Sequence, residues 1–245
     1  MKAIIIGSSS GLGLEVSKRM KAEGWQLLLA ARRTEPMERL HSEAPEQIRV
    51  EHLDITSSDA EAKLEALLKE FAPDLFLLSS GYGSQNKKLD RDIEELTILT
   101  NALGFSRMVG CAFRYFAERY EREGRCGHLA AITSIAGTKG LGVAPSYSAT
   151  KAFGTTYLQS LNQLVGMQGL KIYITDIRPG FVRTPLLGEN PSYPMLMEAG
   201  KVAEDIVKAI KHKKAVVVID WRWRLITWVW RLIPNWIWSR MRVGR

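Results

Sequence analysis

The sequence predicts an α/β fold in which helices cover both faces of a doubly wound, parallel sheet of seven strands. Short β-branched or leucine-rich runs alternate along the chain with longer amphipathic stretches. This alternation is typical of parallel strands joined by helical crossovers. The chain has 245 residues and 46% hydrophobic content, which suffices for one large domain with its own core. We therefore expect a single domain, followed by an amphipathic helical tail.

The predicted strands are short apolar runs, each followed by a turn or a helix signal. They lie at residues 2–6, 25–31, 48–53, 74–79, 128–133, 171–177 and 215–219. Helical periodicity covers residues 12–23, 36–44, 58–70, 92–121, 146–168 and 200–212. In the third of these helices, Leu64 and Leu68 recur on one face, whereas Glu61 and Glu65 face water.

Residues 180–198 form the one long irregular segment of the predicted domain. Pro185, Gly188, Pro191 and Pro194 interrupt regular structure there. A loop of this length inside a compact α/β domain is more often functional than idle. We interpret it as a lid or substrate-binding segment. Its apolar residues are Phe181, Leu186, Leu187, Met195, Leu196 and Met197.

Cysteine and histidine usage argues against a disulfide framework and a metal site. Cys111 and Cys126 are the only cysteines, and we expect both to be reduced thiols in the cytoplasm. The four histidines lie far apart, so no metal is expected. No signal peptide or transmembrane span is visible in the sequence.

The net charge of +8 is concentrated in the tail. Residues 221–245 contain six arginines, six of the seven tryptophans and no acidic residue. The preceding 220 residues contain 28 basic and 26 acidic side chains and are therefore close to neutral. We divide the chain into a domain at 1–220 and a Trp/Arg-rich tail at 221–245. Since no basic face exists elsewhere, nucleic acid is not an expected partner.

A glycine-rich turn follows the first predicted strand. Gly7, Gly11 and Gly13 have the spacing G-x-x-x-G-x-G and precede a helical pattern. Glycines at such a junction permit a tight turn and a close approach of a diphosphate to backbone amides at the helix N-terminus. A purely structural turn is the alternative interpretation.

The ends of the second and third strands suggest which dinucleotide would bind. Arg32 and Arg33 stand where a carboxylate would favour NAD, and guanidinium groups attract the 2′-phosphate of NADP. Solvated loop charges are the alternative for these arginines. Asp54 ends the third strand and could accept a hydrogen bond from the adenine amino group, or cap a helix beside Thr56 and Ser57.

A tyrosine and a lysine lie four residues apart at the start of a predicted helix. Tyr147 and Lys151 therefore share one helix face. An ammonium beside a phenol stabilises the phenolate and lowers its pKa. Ser134 follows the fifth strand, and Asn101 lies within the long fourth helix. Each residue alone has an ordinary structural explanation, as a turn hydroxyl, a helix polar residue or a core aromatic.

Together, these motifs resemble the short-chain dehydrogenase/reductase family, in its NADP-preferring branch of about 250 residues. The resemblance runs from Lys2 to about Ile219. It implies a Rossmann-type fold and homo-oligomers paired through the helices at 92–121 and 146–168. It also implies a catalytic tetrad of Asn101, Ser134, Tyr147 and Lys151. The implied cofactor-binding residues are Gly7, Ser9, Ser10, Gly11, Leu12, Gly13, Arg32, Arg33, Asp54, Ile55, Gly81, Tyr147, Lys151, Pro179, Gly180, Val182 and Thr184.

The resemblance also implies a reaction, namely hydride transfer between a nicotinamide and a carbonyl carbon. Tyr147 would exchange the proton with the substrate oxygen, and Ser134 would hydrogen-bond that oxygen. Lys151 would lower the pKa of Tyr147 and hold the nicotinamide ribose, while Asn101 would hold a water linking Lys151 to solvent. The sequence departs from the family pattern Asn-Asn-Ala-Gly at Leu78-Ser79-Ser80-Gly81, where a hydroxyl replaces the strand-stabilising asparagine. It also departs at Ile6, where a threonine is usual.

The tail leaves two interpretations open. Trp221, Leu225, Trp228 and Leu232 follow helical spacing up to Pro234, and tryptophan with arginine is typical of a helix in a membrane interface. Alternatively, the tail packs on the body or on a second subunit. We expect a cytoplasmic enzyme, with peripheral membrane contact through residues 221–242 as one of the two alternatives.

Membrane contact would favour a bulky apolar or lipid-like ketone or secondary alcohol as the substrate. A non-catalytic, NADP-binding regulatory or scaffold protein attached through the tail is the alternative function.

Overall fold

A computed structural model describes residues 1–187 and 193–243 and shows the predicted Rossmann-type arrangement of strands and helices. One parallel sheet of seven strands has the order β3-β2-β1-β4-β5-β6-β9. Its strands are β1 Lys2–Ile6, β2 Gln26–Ala31, β3 Ile48–His52, β4 Leu75–Leu78, β5 Gly127–Ile132, β6 Ile172–Pro179 and β9 Val216–Ile219. Strands β7 (Val182–Arg183) and β8 (Met197–Glu198) form a small parallel pair outside this sheet.

The helices follow the strands in the predicted alternation. They are α1 Gly11–Ala22, α2 Glu35–Glu43, α3 Ala60–Phe71, α4 Arg91–Ile98, α5 Phe105–Glu123, α6 Pro145–Met167, α7 Ala199–Lys211, α8 Trp221–Leu232 and α9 Asn235–Trp238. Short 3₁₀ turns occur at Ile135–Thr138 and Pro185–Leu187.

Strand periodicity divides the core into two layers. Along β1, Ile4 and Ile6 face a layer formed with α3, α5 and α6. Ala3 and Ile5 face the opposite layer, formed with α1, α2 and α7. Successive strand residues point to opposite faces, and because both faces are covered, the central strands are apolar throughout. The strand order reverses between β1 and β4, and parallel sheets bind ligands at such a point, outside the carboxyl ends of their strands.

The predicted helix at 92–121 is interrupted in the structure. A π-helical turn at Leu99–Gly104 separates α4 from α5. The stretch Arg91–Glu123 is long and apolar enough to cross a membrane, but most of it is buried. Phe105, Met108 and Phe116 are core residues, so this stretch is a core helix of the domain.

Parts of the segment predicted to be irregular have regular structure. Within 180–198, β7 pairs with β8, and Met197 N donates to Phe181 O over 2.9 Å. Gly188 and Pro191, with the rest of 188–192, lie outside the described residues.

The tail packs on the domain through a face that its sequence pattern did not single out. Trp223 and Thr227 are buried, and Trp223 belongs to the core layer formed with α1 and α7. The predicted apolar stripe faces outward instead: the exposed fractions are 66% for Trp221, 59% for Trp228 and 63% for Leu232. As expected, α8 ends before Pro234.

Candidate active site and cofactor cleft

In the glycine-rich turn that connects β1 to α1, the backbone lies very close to other backbone segments. Gly7 has a φ of +88° and its amide donates to Ala30 O over 2.7 Å. A Cβ atom on Gly7 would lie 2.4 Å from Ser80 N, and one on Gly13 would lie 2.2 Å from Gly7 O. Both distances are shorter than van der Waals contact allows, so this turn requires glycine at these positions.

The N-terminus of α1 has the properties of a diphosphate site. The N-cap residue Ser10 makes no side-chain hydrogen bond to the helix, and the first turn contains no acidic residue. The amides of Gly11 and Leu12 therefore keep their capacity to donate, at the positive end of the helix. Thr184 faces this turn, since a Cβ on Gly11 would lie 3.4 Å from its side chain.

The two arginines after β2 are exposed. Within the described residues, no acidic side chain forms an ion pair with Arg32 or Arg33. Both lie at the carboxyl end of β2, beside β1 and its glycine turn, where their guanidinium groups can meet an anionic ligand.

Asp54 uses one carboxylate oxygen to shape its own loop. Its Oδ1 accepts from Thr56 N over 2.9 Å and from Thr56 Oγ1 over 2.7 Å. The N-cap of α3 is Asp59 rather than Asp54, so Asp54 closes a local turn ahead of the helix. The adjacent Ile55 is buried against Gly104.

Three of the predicted tetrad residues lie against the loop after β4. Asn101 and Lys151 lie beside Gly81, and a Cβ on Gly83 would lie 2.6 Å from the Tyr147 ring. A Cβ on Gly81 would lie 3.4 Å from Lys151 Nζ and 3.5 Å from Asn101 Oδ1. Lys151 Nζ lies 5.6 Å from the centre of the Tyr147 ring and donates to Ile132 O over 3.2 Å. The loop after β4, the π-helical turn and α6 thus meet at the carboxyl edge of the sheet.

Ser134 completes the cluster from the end of β5. It caps the 3₁₀ turn at Ile135–Thr138, where its Oγ accepts from Ala136 N over 3.1 Å. Burial raises the pKa of Tyr147, and a hydrogen bond with Ser134 opposes that rise. Burial also lowers the pKa of Lys151 to about 8, an effect partly opposed by the charge of Asp176.

This pKa pattern differs from the expectation that Lys151 lowers the pKa of Tyr147. The ammonium donates to the Ile132 carbonyl rather than to the phenol. Loss of water around both groups disfavours both charged forms, so burial is the largest influence on each pKa.

The family model described as short chain dehydrogenase matches residues 1–193. The chain belongs to the short-chain dehydrogenase family. It is 32% identical over 242 residues to a protein of Myxococcus xanthus described as an uncharacterized oxidoreductase, covering 95% of this chain and 92% of that protein. It is accordingly an oxidoreductase of the short-chain dehydrogenase family.

Solved structures show the same fold at lower sequence identity. A short-chain dehydrogenase from Sphingobium yanoikuyae, solved with NADPH, is 22% identical, with a TM-score of 0.78 over 100% of this chain and 97% of that one. A bulky-bulky ketone specific alcohol dehydrogenase from Comamonas testosteroni is 23% identical, with a TM-score of 0.76 over 100% of this chain and 96% of that one.

In this short-chain dehydrogenase, backbone contacts that the sequence did not predict hold Asn101. Its Nδ2 donates to Tyr82 O over 2.6 Å and its Oδ1 accepts from Tyr82 N over 2.9 Å. Nδ2 also lies 3.3 Å from Thr150 Oγ1. The π-helical turn places Asn101 here, and such turns frequently occur at functional sites.

A buried ion pair on β6, which the sequence did not predict, influences Lys151. Asp176 is buried, pairs with Arg178 at 2.6 Å and accepts a hydrogen bond from the Thr133 hydroxyl. Its carboxylate is the only acidic group that influences the pKa of Lys151 among the described residues. The sequence signal for this ion pair was two opposite charges, Asp176 and Arg178, two residues apart at the end of a predicted strand.

The segment after β6 is held by β9 and by the tail. Gly180 N donates to Ile219 O over 2.9 Å, and a Cβ on Gly180 would lie 2.2 Å from Trp223 Nε1. Val182 is buried in β7 and Pro179 ends β6. Gly180 therefore allows an indole to lie directly against the backbone of this segment.

Proposed function

We propose that this short-chain dehydrogenase transfers hydride between NADPH and a ketone or secondary alcohol, and that its substrate is bulky and apolar or lipid-like. The observation that carries the proposal is the convergence of Asn101, Tyr147 and Lys151 on the loop at 81–83. A phenol and a buried ammonium at the carboxyl edge of a Rossmann sheet form a proton-transfer site beside a nucleotide crevice.

The cleft fits a dinucleotide diphosphate. The tight turn at Gly7 and Gly13, where no Cβ fits, leads directly into the backbone amides of Gly11 and Leu12 at the start of α1. The first turn of α1 has no capping side chain and no acidic residue, so those amides would hold the diphosphate. Lys151 would hold the nicotinamide ribose, and Thr184, opposite Gly11, would contact the diphosphate side.

Each residue of the tetrad has a chemical role in this proposal. Tyr147 would donate its phenol proton to the carbonyl oxygen during reduction and accept the proton during oxidation. Ser134 would hydrogen-bond the same oxygen and keep it within reach of the phenol. Lys151 would return a proton toward Tyr147, and Asn101 would fix the loop that closes the site. When bound, NADPH supplies the hydride.

Preference for NADPH over NADH is supported by Arg32 and Arg33, which are exposed at the end of β2. A guanidinium forms charge-assisted hydrogen bonds with the 2′-phosphate of NADP. We expect Arg32→Ala/Arg33→Ala to raise KM for NADPH by about 10- to 100-fold and to change KM for NADH much less. The matched control Arg39→Ala removes an exposed arginine from α2. Equal losses with both cofactors would contradict the preference.

An aromatic chain that connects the lid to the tail supports a bulky apolar substrate. The ring of Phe181 lies 4.7 Å from that of Tyr193 and 5.4 Å from that of Trp223. Contacts continue from Trp223 to Trp230 and from Trp230 to Trp238. These side chains form an apolar wall beside the segment that follows β6.

The tail also contacts the loop that leads into Tyr147. Trp238 Nε1 donates to Gly140 O over 2.7 Å. Lys139 Nζ donates to Ile233 O over 3.0 Å and to Asn235 Oδ1 over 2.8 Å. A cavity of about 430 Å³ lies between this loop and the end of the tail, lined by Gly140, Leu141, Gly142, Val143, Trp238 and Met241 among others.

NADPH oxidation across a series of ketones of increasing size tests the proposal. We expect kcat/KM to rise from small methyl ketones to ketones with two large substituents. Trp238→Phe keeps a ring but removes the N–H donor, and we expect it to raise KM for the bulky ketones. Trp221→Phe, in the exposed stripe, is the matched control. Binding of NADPH without turnover of any ketone would favour the scaffold alternative instead.

A further inference from the structure

The exposed face of α8 is apolar and separate from the face that packs on the domain. Trp221, Leu225, Trp228 and Leu232 recur at intervals of four, three and four residues, and each is at least 56% exposed. On a helix of 3.6 residues per turn they form one stripe. The buried residues Trp223 and Thr227 lie on the opposite side. Helix α8 is therefore apolar on two faces, only one of which the domain covers.

Arginines flank this stripe. Arg224 and Arg231 lie on one side, seven residues apart, and Arg222 lies on the other. Arg222 pairs with Asp220 at 2.7 Å. Within residues 1–187 and 193–243, no ion pair involves Arg224, Arg231, Arg240 or Arg242, all of which are exposed.

The same surface continues beyond Pro234. Trp236 is 66% exposed, and Ile237 and Met241 are also exposed. Arg240 lies over the Trp236 ring at 5.8 Å. We call the exposed side chains of Trp221, Leu225, Trp228, Leu232, Trp236, Ile237 and Met241, with the flanking arginines, the tail surface.

We propose that the tail surface docks on an anionic phospholipid bilayer. Indoles prefer the headgroup depth of a bilayer, aliphatic side chains enter the acyl boundary, and guanidinium groups on the flanks bind lipid phosphates. The excess charge of the chain is in this segment, where no acidic residue follows Asp220. Trp238 and Lys139 hold the segment on the domain, so docking orients the whole enzyme.

Charge complementarity favours the bilayer over a second copy of this chain. Pairing two tail surfaces would bring Arg224 and Arg231 of both copies together, with no acidic residue in either tail segment to offset them. Single-stranded nucleic acid is a less suitable partner, because the stripe presents four large apolar side chains and no continuous basic groove.

Co-sedimentation of the full chain with vesicles tests docking without any catalytic readout. The probe is a vesicle of equimolar phosphatidylcholine and phosphatidylglycerol, compared with phosphatidylcholine alone. We expect strong partitioning to the anionic vesicles only. Arg224→Gln/Arg231→Gln should weaken it about 30-fold, because each surface arginine contributes about fivefold. The control Lys208→Gln/Lys214→Gln removes the same charge from exposed lysines elsewhere, which form no ion pair in the part of the chain that the structure describes, and should leave partitioning unchanged.

A second pair of variants tests the apolar contribution. Trp228→Ser/Leu232→Ser should reduce partitioning at least tenfold, since two large side chains leave the acyl boundary. Met167→Ser, at a residue 77% exposed outside the tail, is the control. Unchanged unfolding temperatures show that the variants are folded. Equal partitioning of all proteins would overturn the proposal. Self-association or RNA binding that depends on these residues, without any binding to vesicles, would also overturn it.

Discussion

The Asn101 side chain binds both backbone polar groups of Tyr82, donating to its carbonyl over 2.6 Å and accepting from its amide over 2.9 Å. These two bonds join the π-helical turn to the loop after β4. Gly81, which contacts Lys151, directly precedes Tyr82. Asn101 therefore positions the loop that lies against the candidate catalytic lysine.

Asn101→Ala should lower the free energy of unfolding by about 2 kcal/mol, because two backbone groups lose their partner in a partly buried site. Thermal or urea unfolding measures this change. Asn162→Ala removes an exposed amide from α6 and should change stability by less than about 0.5 kcal/mol. Similar small effects of both substitutions would show that the Tyr82 contact is not stabilising.

Gly13→Ala should destabilise the protein by about 1 to 3 kcal/mol and weaken NADPH binding, because the new Cβ would lie 2.2 Å from Gly7 O. Isothermal titration with NADPH and a denaturant melt measure the two effects. Gly166→Ala, in α6 with open space around it, should instead stabilise the fold by about 0.5 kcal/mol. A Gly13→Ala protein with normal NADPH affinity would argue against the diphosphate site.

Lys151→Met should stabilise the fold at pH 7 while abolishing turnover. Burial lowers the pKa of Lys151 from 10.5 to about 8, so holding the charge in the folded state costs at most about 3 kcal/mol. The increase in the free energy of unfolding should be complete below pH 8. It should disappear as the pH approaches 10.5, where the unfolded chain also loses the proton. Urea melts across this range measure the difference, and a constant difference would contradict the lowered pKa.

His128 should make the fold sensitive to acid. Burial, and then the charge of Lys213, lower its pKa from 6.5 to about 4, and its Nε2 lies 2.8 Å from Thr175 Oγ1. Between these pH values the unfolded chain binds the proton and the folded one does not. Stability should therefore fall by as much as about 3 kcal/mol as the pH drops from 6.5 to 4.

The variant His128→Asn isolates this contribution. It removes the titrating ring but keeps a polar side chain near Thr175, so stability should decline less steeply with acid than in the unaltered protein. Parallel melts at pH 7 and pH 4.5 give the comparison. Identical slopes for the two proteins would mean that other groups cause the acid sensitivity.

The sequence predicted the sheet well because its strands are continuous apolar runs buried on both faces. The runs Ile4–Ile6 and Leu27–Leu29 are fully buried, because only the interior of a sheet covered on both faces keeps such continuous apolar runs away from water. The glycine turn was equally clear, since Gly7 and Gly13 are required by backbone contacts that any side chain would prevent.

Contacts distant in sequence were not predictable in the same way. Nothing local distinguishes the π-helical turn at Asn101 from the surrounding α-helix. The tail contains enough tryptophans to form two apolar faces, so its sequence does not show which face packs on the domain. Trp223 turns inward because Gly180 has no side chain and leaves room for the indole. The pKa of Tyr147 depends on its burial as well as on its neighbours, and burial is a property of the whole fold.

The central claim is that Tyr147 carries the proton in an NADPH-dependent reduction. Its most direct test is the rate of NADPH oxidation with a bulky ketone, compared between the unaltered protein and Tyr147→Phe, with NADPH affinity measured on both. We predict a fall in kcat of at least about 100-fold, with NADPH affinity nearly unchanged. Full activity in the Tyr147→Phe protein would contradict the account.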